Sequence, residues 1–201
     1  MVELISLPDR RVFYLPGTRP ACFYLVDARA GGVLINAPPF DPGLRERLAA
    51  AAPLRFVFLP SALGAAGAGA WRAAGAGLIA SVEEAEAIDA PVDQRVGRKV
   101  RLVRDIDFLP MSGRTRGSCA LRVRASPAIV FFGPILEHGE WPGLVAHADD
   151  YSYENRVIGA LGLRDLKFEF AFCDNYVHGR SRFGPGAAQA VRRNLAAEMH
   201  G

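Results

Sequence analysis

The sequence predicts an α+β protein built as a four-layer αββα sandwich, and three observations carry that expectation. Short β-like runs fill roughly the first forty residues and recur through the second half, strand and helix patterns alternate in the stretch between, and helical patterns close each half. Two similarly built β-rich halves, each ending in helical material, find their simplest packing in such a sandwich.

The elements follow in order. "LISL", "RVFYL", "ACFYLVD" and "GGVLINA" read as strands of an antiparallel meander, the last two joined by the turn "ARAGG". After "PPFDP", the stretch "GLRERLAAAA" reads as a helix with Asp41 at its N-cap and Pro42 in its first turn. Strand "LRFVFL", a small-residue loop, a helix around "GAWRAAGA", strand "GLIAS" and helix "VEEAEAI" come next, the last with Ser81 and Glu84 spaced as a capping box. A second meander is expected at "KVRLV", "IDFLPM", "SCALRVR" and "PAIVFFG". A helix over "YSYENRVIGALGL", a strand "KFEFAFCD" and a closing helix "GPGAAQAVRRNLAAEM" complete the chain.

With 201 residues, half of them hydrophobic and 22% charged, the chain is expected to form one domain across residues 1–201. The N-terminal "MVELISLPDRRVFYLPG" places charges where a secretory apolar core would stand, and no apolar run reaches membrane-spanning length, so a soluble, cytoplasmic protein with no membrane partner is expected. Cys22, Cys119 and Cys173 are widely spaced and are read as buried thiols. The net charge of +3 is carried almost wholly by arginine, since Lys99 and Lys167 are the only lysines. No basic run or aromatic-interleaved patch accompanies it, so no nucleic-acid partner is expected.

The loop "LPSALGAAGAGAW" sits after a strand, where α/β proteins place their chemistry, yet only Ser61 offers a reactive side chain. Its pattern, together with "SGRTRGSCALRV", "VFFGPIL", "VLINAPP" and "NYVHGRS", resembles the metallo-β-lactamase superfamily, in particular its minimal glyoxalase II-like hydrolases. The resemblance covers nearly the whole chain and identifies it as a degenerate member. The family's H-x-H-x-D-H ligand pattern falls here on Pro60, Ala62, Gly64 and Ala65. Gly113, Thr115, Gly117 and Ser118 match the next family segment, but Arg114 stands at its histidine. Pro134 follows Gly133 where a bridging aspartate belongs, and Asn36 closes the early strand in place of an aspartate. Of the ligand set only His178 remains.

Catalytic zinc needs about three protein ligands and an open position, so the resemblance implies a scaffold without its metal centre and with no cofactor. Arg114 has two readings, a holder of a small anion and a guanidinium filling the vacated space against a carboxylate such as Asp174. His178 and Asp174 are the residues that would serve if a metal-independent hydrolytic mechanism survived, and Cys173 beside Asp174 is expected to face the other way. Ser118 is read as a turn hydroxyl. The segment "ILEHGEWPGLVAHADDYSYENR", with Glu137, His138, His147, Asp149 and Asp150, is read as a solvated loop with packing aromatics at Trp141, Tyr151 and Tyr153; a metal relocated to His138 and His147 is the competing reading. His200 lies in the terminal residues.

The function expected from these residues is a non-catalytic binding or interaction module, with a small anionic ligand at Arg114 and His178 or a second copy of the chain as candidate partners. The alternative is a hydrolase of ester or thioester substrates with a metal-independent or relocated-metal mechanism.

Overall fold

The computed structural model describes residues 1–97 and 101–198. Lys99 and Val100, at the start of one expected strand, and His200 lie outside the described residues. The chain divides into two compact units, Met1–Val96 and Gly97–Gly201.

The first unit is a seven-stranded sheet in sequential order. Strands β1 (Val2–Leu7), β2 (Arg10–Leu15), β3 (Cys22–Asp27) and β4 (Gly31–Ile35) form the expected antiparallel meander. The turn between β3 and β4 is set by Asp27, whose Oδ1 accepts the backbone N–H groups of Arg29 (2.9 Å) and Ala30 (2.8 Å), the side-chain turn mimicry that suits aspartate to such positions. From β4 onward the sheet is parallel, through β5 (Leu54–Leu59), β6 (Gly77–Ser81) and a short β7 (Gln94–Val96) that sequence patterning does not reveal. Parallel neighbours require crossovers, supplied by α1 (Pro42–Ala51), α2 (Ala68–Ala73) and α3 (Val82–Ala85). As expected, Asp41 caps α1, accepting the Gly43 N–H with Pro42 in the first turn, and Ser81 caps α3, its hydroxyl accepting the Glu84 N–H at 3.1 Å. Leu48 of α1 and Ala68 and Trp71 of α2 join the buried cluster that contains Leu34, Val57 and Leu78 of the sheet.

The second unit holds a five-stranded sheet in the order β14-β11-β10-β9-β8. Strands β8 (Arg101–Val103), β9 (Ile106–Pro110), β10 (Cys119–Val123) and β11 (Ile129–Gly133) are antiparallel, and β14 (Phe170–Cys173) lies parallel to β11 after a crossover containing α4 (Tyr153–Leu161). Asp107 and Arg122 face each other across β9 and β10 and pair bidentately at 2.9 and 2.7 Å, a geometry that adds register to affinity. A two-stranded ribbon, β12 (Glu137–His138) and β13 (Pro142–Gly143), precedes α4, and α5 (Ala187–Glu198) closes the described chain. Ala187, Val191 and Leu195 of α5 recur at helical spacing and join a core with Val130, Phe132, Leu136 and Ala171.

Candidate functional site

The loop after β5 is closed by backbone rather than by polar side chains. A single 3-10 turn, Ala62–Gly64, follows Ser61, and the loop is pinned to the end of β4 by two main-chain bonds, Ala37 N–H to Gly64 O (2.7 Å) and Gly67 N–H to Ala37 O (2.8 Å). Glycine is required at both contacts, since a Cβ on Gly67 would stand 1.9 Å from the Pro38 carbonyl oxygen and one on Gly64 would stand 1.9 Å from Asn36 Oδ1. Asn36 itself has φ +65°, a conformation asparagine tolerates better than most residues. It is buried and donates from Nδ2 to the Ala21 carbonyl at 2.9 Å. The side chain of Asn36 thus occupies the space a longer residue at position 64 would need.

A carboxylate contact to the loop comes from a residue that sequence patterning reads only as part of a helix cap. Glu84 is 3% exposed, and its Oε2 accepts the Ala62 N–H at 2.6 Å. Ser61 is fully buried, and its hydroxyl has no hydrogen-bond partner among the described residues. No base touches it, so it lacks the activation a serine nucleophile needs.

In the second unit Arg114 is committed to carboxylates of the chain. Nη2 donates to Asp149 Oδ2 at 3.0 Å and Nη1 lies 3.6 Å from Asp150 Oδ1. The partners are therefore Asp149 and Asp150 rather than Asp174, because the segment 145–152 folds back over the 113–118 loop, with Ser152 N–H bonded to Gly113 O at 2.9 Å. Asp150, its side chain 4% exposed, also accepts from Nη1 of the fully buried Arg156 at 3.0 and 2.8 Å. Arg156 further donates to the carbonyls of Val145 (2.6 Å) and Ile135 (3.0 Å). Two guanidinium groups and two carboxylates form one compensated network. Arg114 holds the Asp149 carboxyl below the usual aspartate range through their hydrogen bond. Ser118 behaves as a turn hydroxyl, accepting the Thr115 N–H at 2.9 Å.

The same segment corrects the expectation of a solvated loop between residues 135 and 156. Ile135, Leu136, His138 and Leu144 are buried, and apolar anchors at these positions hold the chain against the sheet while leaving Tyr151 exposed. His138 and His147 have different partners. His147 Nε2 contacts the Glu137 carboxylate, whereas the His138 ring packs edge-on to Tyr176 with centroids 5.6 Å apart and neither of its nitrogens meets a hydrogen-bond partner among the described residues. Burial pushes the His138 imidazole down to about 4. Asn175 clamps its backbone, accepting the His138 N–H at 2.7 Å and donating to the His138 carbonyl at 3.1 Å.

Pro134 continues from Gly133, the end of β11, and the Gly133 carbonyl accepts the Asp174 N–H at 2.9 Å. Cys173, next to Asp174, points into the core as expected, and burial together with the nearby Asp174 and Glu137 charges pushes its thiol up. A protonated, buried thiol is not a nucleophile. All three cysteines are free and buried. His178 is exposed, with Nδ1 3.4 Å from the Tyr176 hydroxyl. It lines a cleft of about 600 Å³ with Trp141, Tyr176, Arg180, Arg182 and Phe183. Arg182 is paired with Glu140 at 2.8 Å, while Arg180 makes no side-chain contact of its own with a described polar group.

No family model matches the sequence, and no curated protein matches it. Solved structures do. A metallo-beta-lactamase from Pontibacter korlensis superposes with a TM-score of 0.71 at 15% identity, over 96% of this chain and 98% of its own. One from Cronobacter sakazakii, described by a HARLDQ motif, gives 0.66 at 15% identity over 100% and 97%. A Pseudomonas aeruginosa metallo-beta-lactamase in its mono-zinc form gives 0.69 at 12% identity over 98% and 95%. The chain has the α+β metallo-β-lactamase fold.

The residues at the positions that the family resemblance assigns to metal ligands do not make a donor set for a catalytic metal. Pro60, Ala62, Gly64, Ala65 and Pro134 have no donor side chain, and Arg114 presents a permanent cation to the position it occupies. Among the described residues, no group of three or more His, Cys, Asp or Glu side chains is placed to hold a metal ion. No helix of the described residues is long and apolar enough to cross a membrane.

Proposed function

We propose that this protein is a non-catalytic representative of the metallo-β-lactamase fold that works as a ligand-binding module. The observation that carries this reading is the chemistry of the ligand positions: side chains without lone-pair donors in the β5 loop, and at residue 114 a guanidinium whose charge is offset within the chain by Asp149 and Asp150. Water becomes a nucleophile near neutral pH on such scaffolds because a held cation lowers its pKa, and this donor set cannot hold one. The internal pairing of Arg114 moves the anion-binding role to the cleft at His178. There Arg180 supplies an unpaired cation, and Trp141, Tyr176 and Phe183 supply aromatic walls, a combination that suits a small aromatic carboxylate.

The test combines turnover with binding. Purified protein is offered a panel of esters, thioesters and lactones, and aromatic carboxylates are titrated into wild type and Arg180→Ser. Background-level turnover, with carboxylate binding that the substitution removes, is the expected result. Turnover that His178→Ala abolishes would replace the binding module with a metal-independent hydrolase.

A further inference from the structure

A second cleft in the same unit carries an excess of positive charge and shares no lining residue with the first. It encloses about 440 Å³ and is lined by Arg164, Asp165, Lys167, Arg192 and Ala196. The turn between α4 and β14 builds one wall. Its apolar residues Leu163, Leu166 and Phe168 pack into the core, while Arg164, Asp165 and Lys167 between them remain exposed. Main-chain bonds from Leu163 to Ala160 (3.0 Å), Arg164 to Leu161 (3.2 Å) and Leu166 to Leu163 (3.0 Å) fix the turn. Helix α5 supplies the opposite wall: Arg192 and Ala196 stand four residues apart and share one face. Arg192 Nη2 donates to the Leu166 carbonyl at 3.2 Å, which holds its guanidinium at the rim beside Lys167. Ala196 leaves the floor open.

Three cations against one carboxylate therefore surround a concavity, and neither Arg164 nor Lys167 forms an ion pair with a described residue. By contrast, Arg122, Arg114 and Arg182 of the same unit are paired, with Asp107, Asp149 and Glu140 respectively. We propose that this cleft binds a phosphate-bearing small molecule. Two guanidinium forks match phosphate oxygens bidentately and the lysine adds a point charge, while Asp165 offers an acceptor to a hydroxyl of the same ligand. No aromatic side chain lines the cleft on which a base could stack, so a phosphorylated polyol fits better than a single strand of nucleic acid.

Inorganic phosphate and ribose 5-phosphate are titrated into the full chain by calorimetry, with wild type, Lys167→Ser, Ala196→Glu and Arg180→Ser compared. Ribose 5-phosphate should bind wild type more tightly than phosphate, weaken about tenfold in Lys167→Ser, and fail to bind Ala196→Glu. That variant keeps every cation but sets a carboxylate four residues from Arg192 on an exposed helical position, and it should melt with wild type. Arg180→Ser should leave ribose 5-phosphate binding unchanged, separating this site from the His178 cleft. Equal affinity in wild type and Ala196→Glu, or no binding of either compound to wild type, overturns the proposal. Salt-sensitive retention of short DNA without ribose 5-phosphate binding overturns it in favour of a nucleic-acid surface.

Discussion

Replacing Asp150 by alanine isolates the buried half of the charge network on the 113–156 segment. Its carboxylate is 4% exposed, receives two bonds from Arg156 at 3.0 and 2.8 Å and one from the His147 N–H at 3.1 Å, and lies 3.6 Å from Arg114. In Asp150→Ala the Arg156 guanidinium, with no solvent exposure, keeps only the carbonyls of Val145 and Ile135. Breaking a buried pair from one side costs about 3–5 kcal/mol, because the remaining charge stays desolvated. For a chain of this size each kcal/mol moves Tm by about 2–4 °C, so a fall of about 10 °C is expected. Asp149→Ala removes the other carboxylate facing Arg114, but that side chain is 72% exposed, and its loss should leave stability nearly unchanged because solvent screens the pair. Thermal and urea unfolding of the two variants side by side provide the assay. Equal stability of Asp150→Ala and Asp149→Ala would refute the buried-network argument.

His138 should make stability depend on pH. Its imidazole is held at about 4 in the folded chain against 6.5 when free, so between those values the unfolded chain binds a proton that the folded chain refuses. Stability is complete above pH 6.5 and falls as pH drops toward 4, by about 3 kcal/mol over the window; urea midpoints at both ends should show this slope in wild type and its loss in His138→Phe, and an unchanged slope in the variant would contradict it. Gly64→Ala places a methyl group against the Asn36 side chain and should destabilise by about 1–3 kcal/mol, a cost that denaturant melts would find absent if the loop is loosely packed. A thiol reagent should label no cysteine rapidly in the native protein and all three after unfolding, since Cys22, Cys119 and Cys173 are buried; prompt native labelling of Cys173 would show an open, reactive thiol.

The meanders, the caps at Asp41 and Ser81 and the inward face of Cys173 were legible because each is a local property: a period, a side chain three residues from its target, a residue parity on one strand. Long-range relations stayed hidden. Arg114 finds Asp149 and Asp150 because the segment after β13 folds back 35 residues later in the chain, and no periodicity announces such a return. Nor could spacing reveal that the Glu84 carboxylate would accept the N–H of Ala62, 22 residues upstream. The stretch from Ile135 to Arg156 looked solvated because its polar residues outnumber its apolar ones; the few apolar anchors nevertheless decide where it lies. The basic cleft is assembled from α5 and a turn preceding β14, with alternation of inward leucines and outward cations visible only once the inward side is known.

The proposal that this chain holds no catalytic metal is tested most directly by titrating zinc into protein stripped with chelator, following heat and melting temperature together. The expected result is no saturable heat and a melting curve that zinc and chelator leave in place, since six of the seven positions that the family resemblance assigns to ligands are Pro60, Ala62, Gly64, Ala65, Arg114 and Pro134. Saturation at one or two equivalents, with a rise in melting temperature that His178→Ala abolishes, would contradict it.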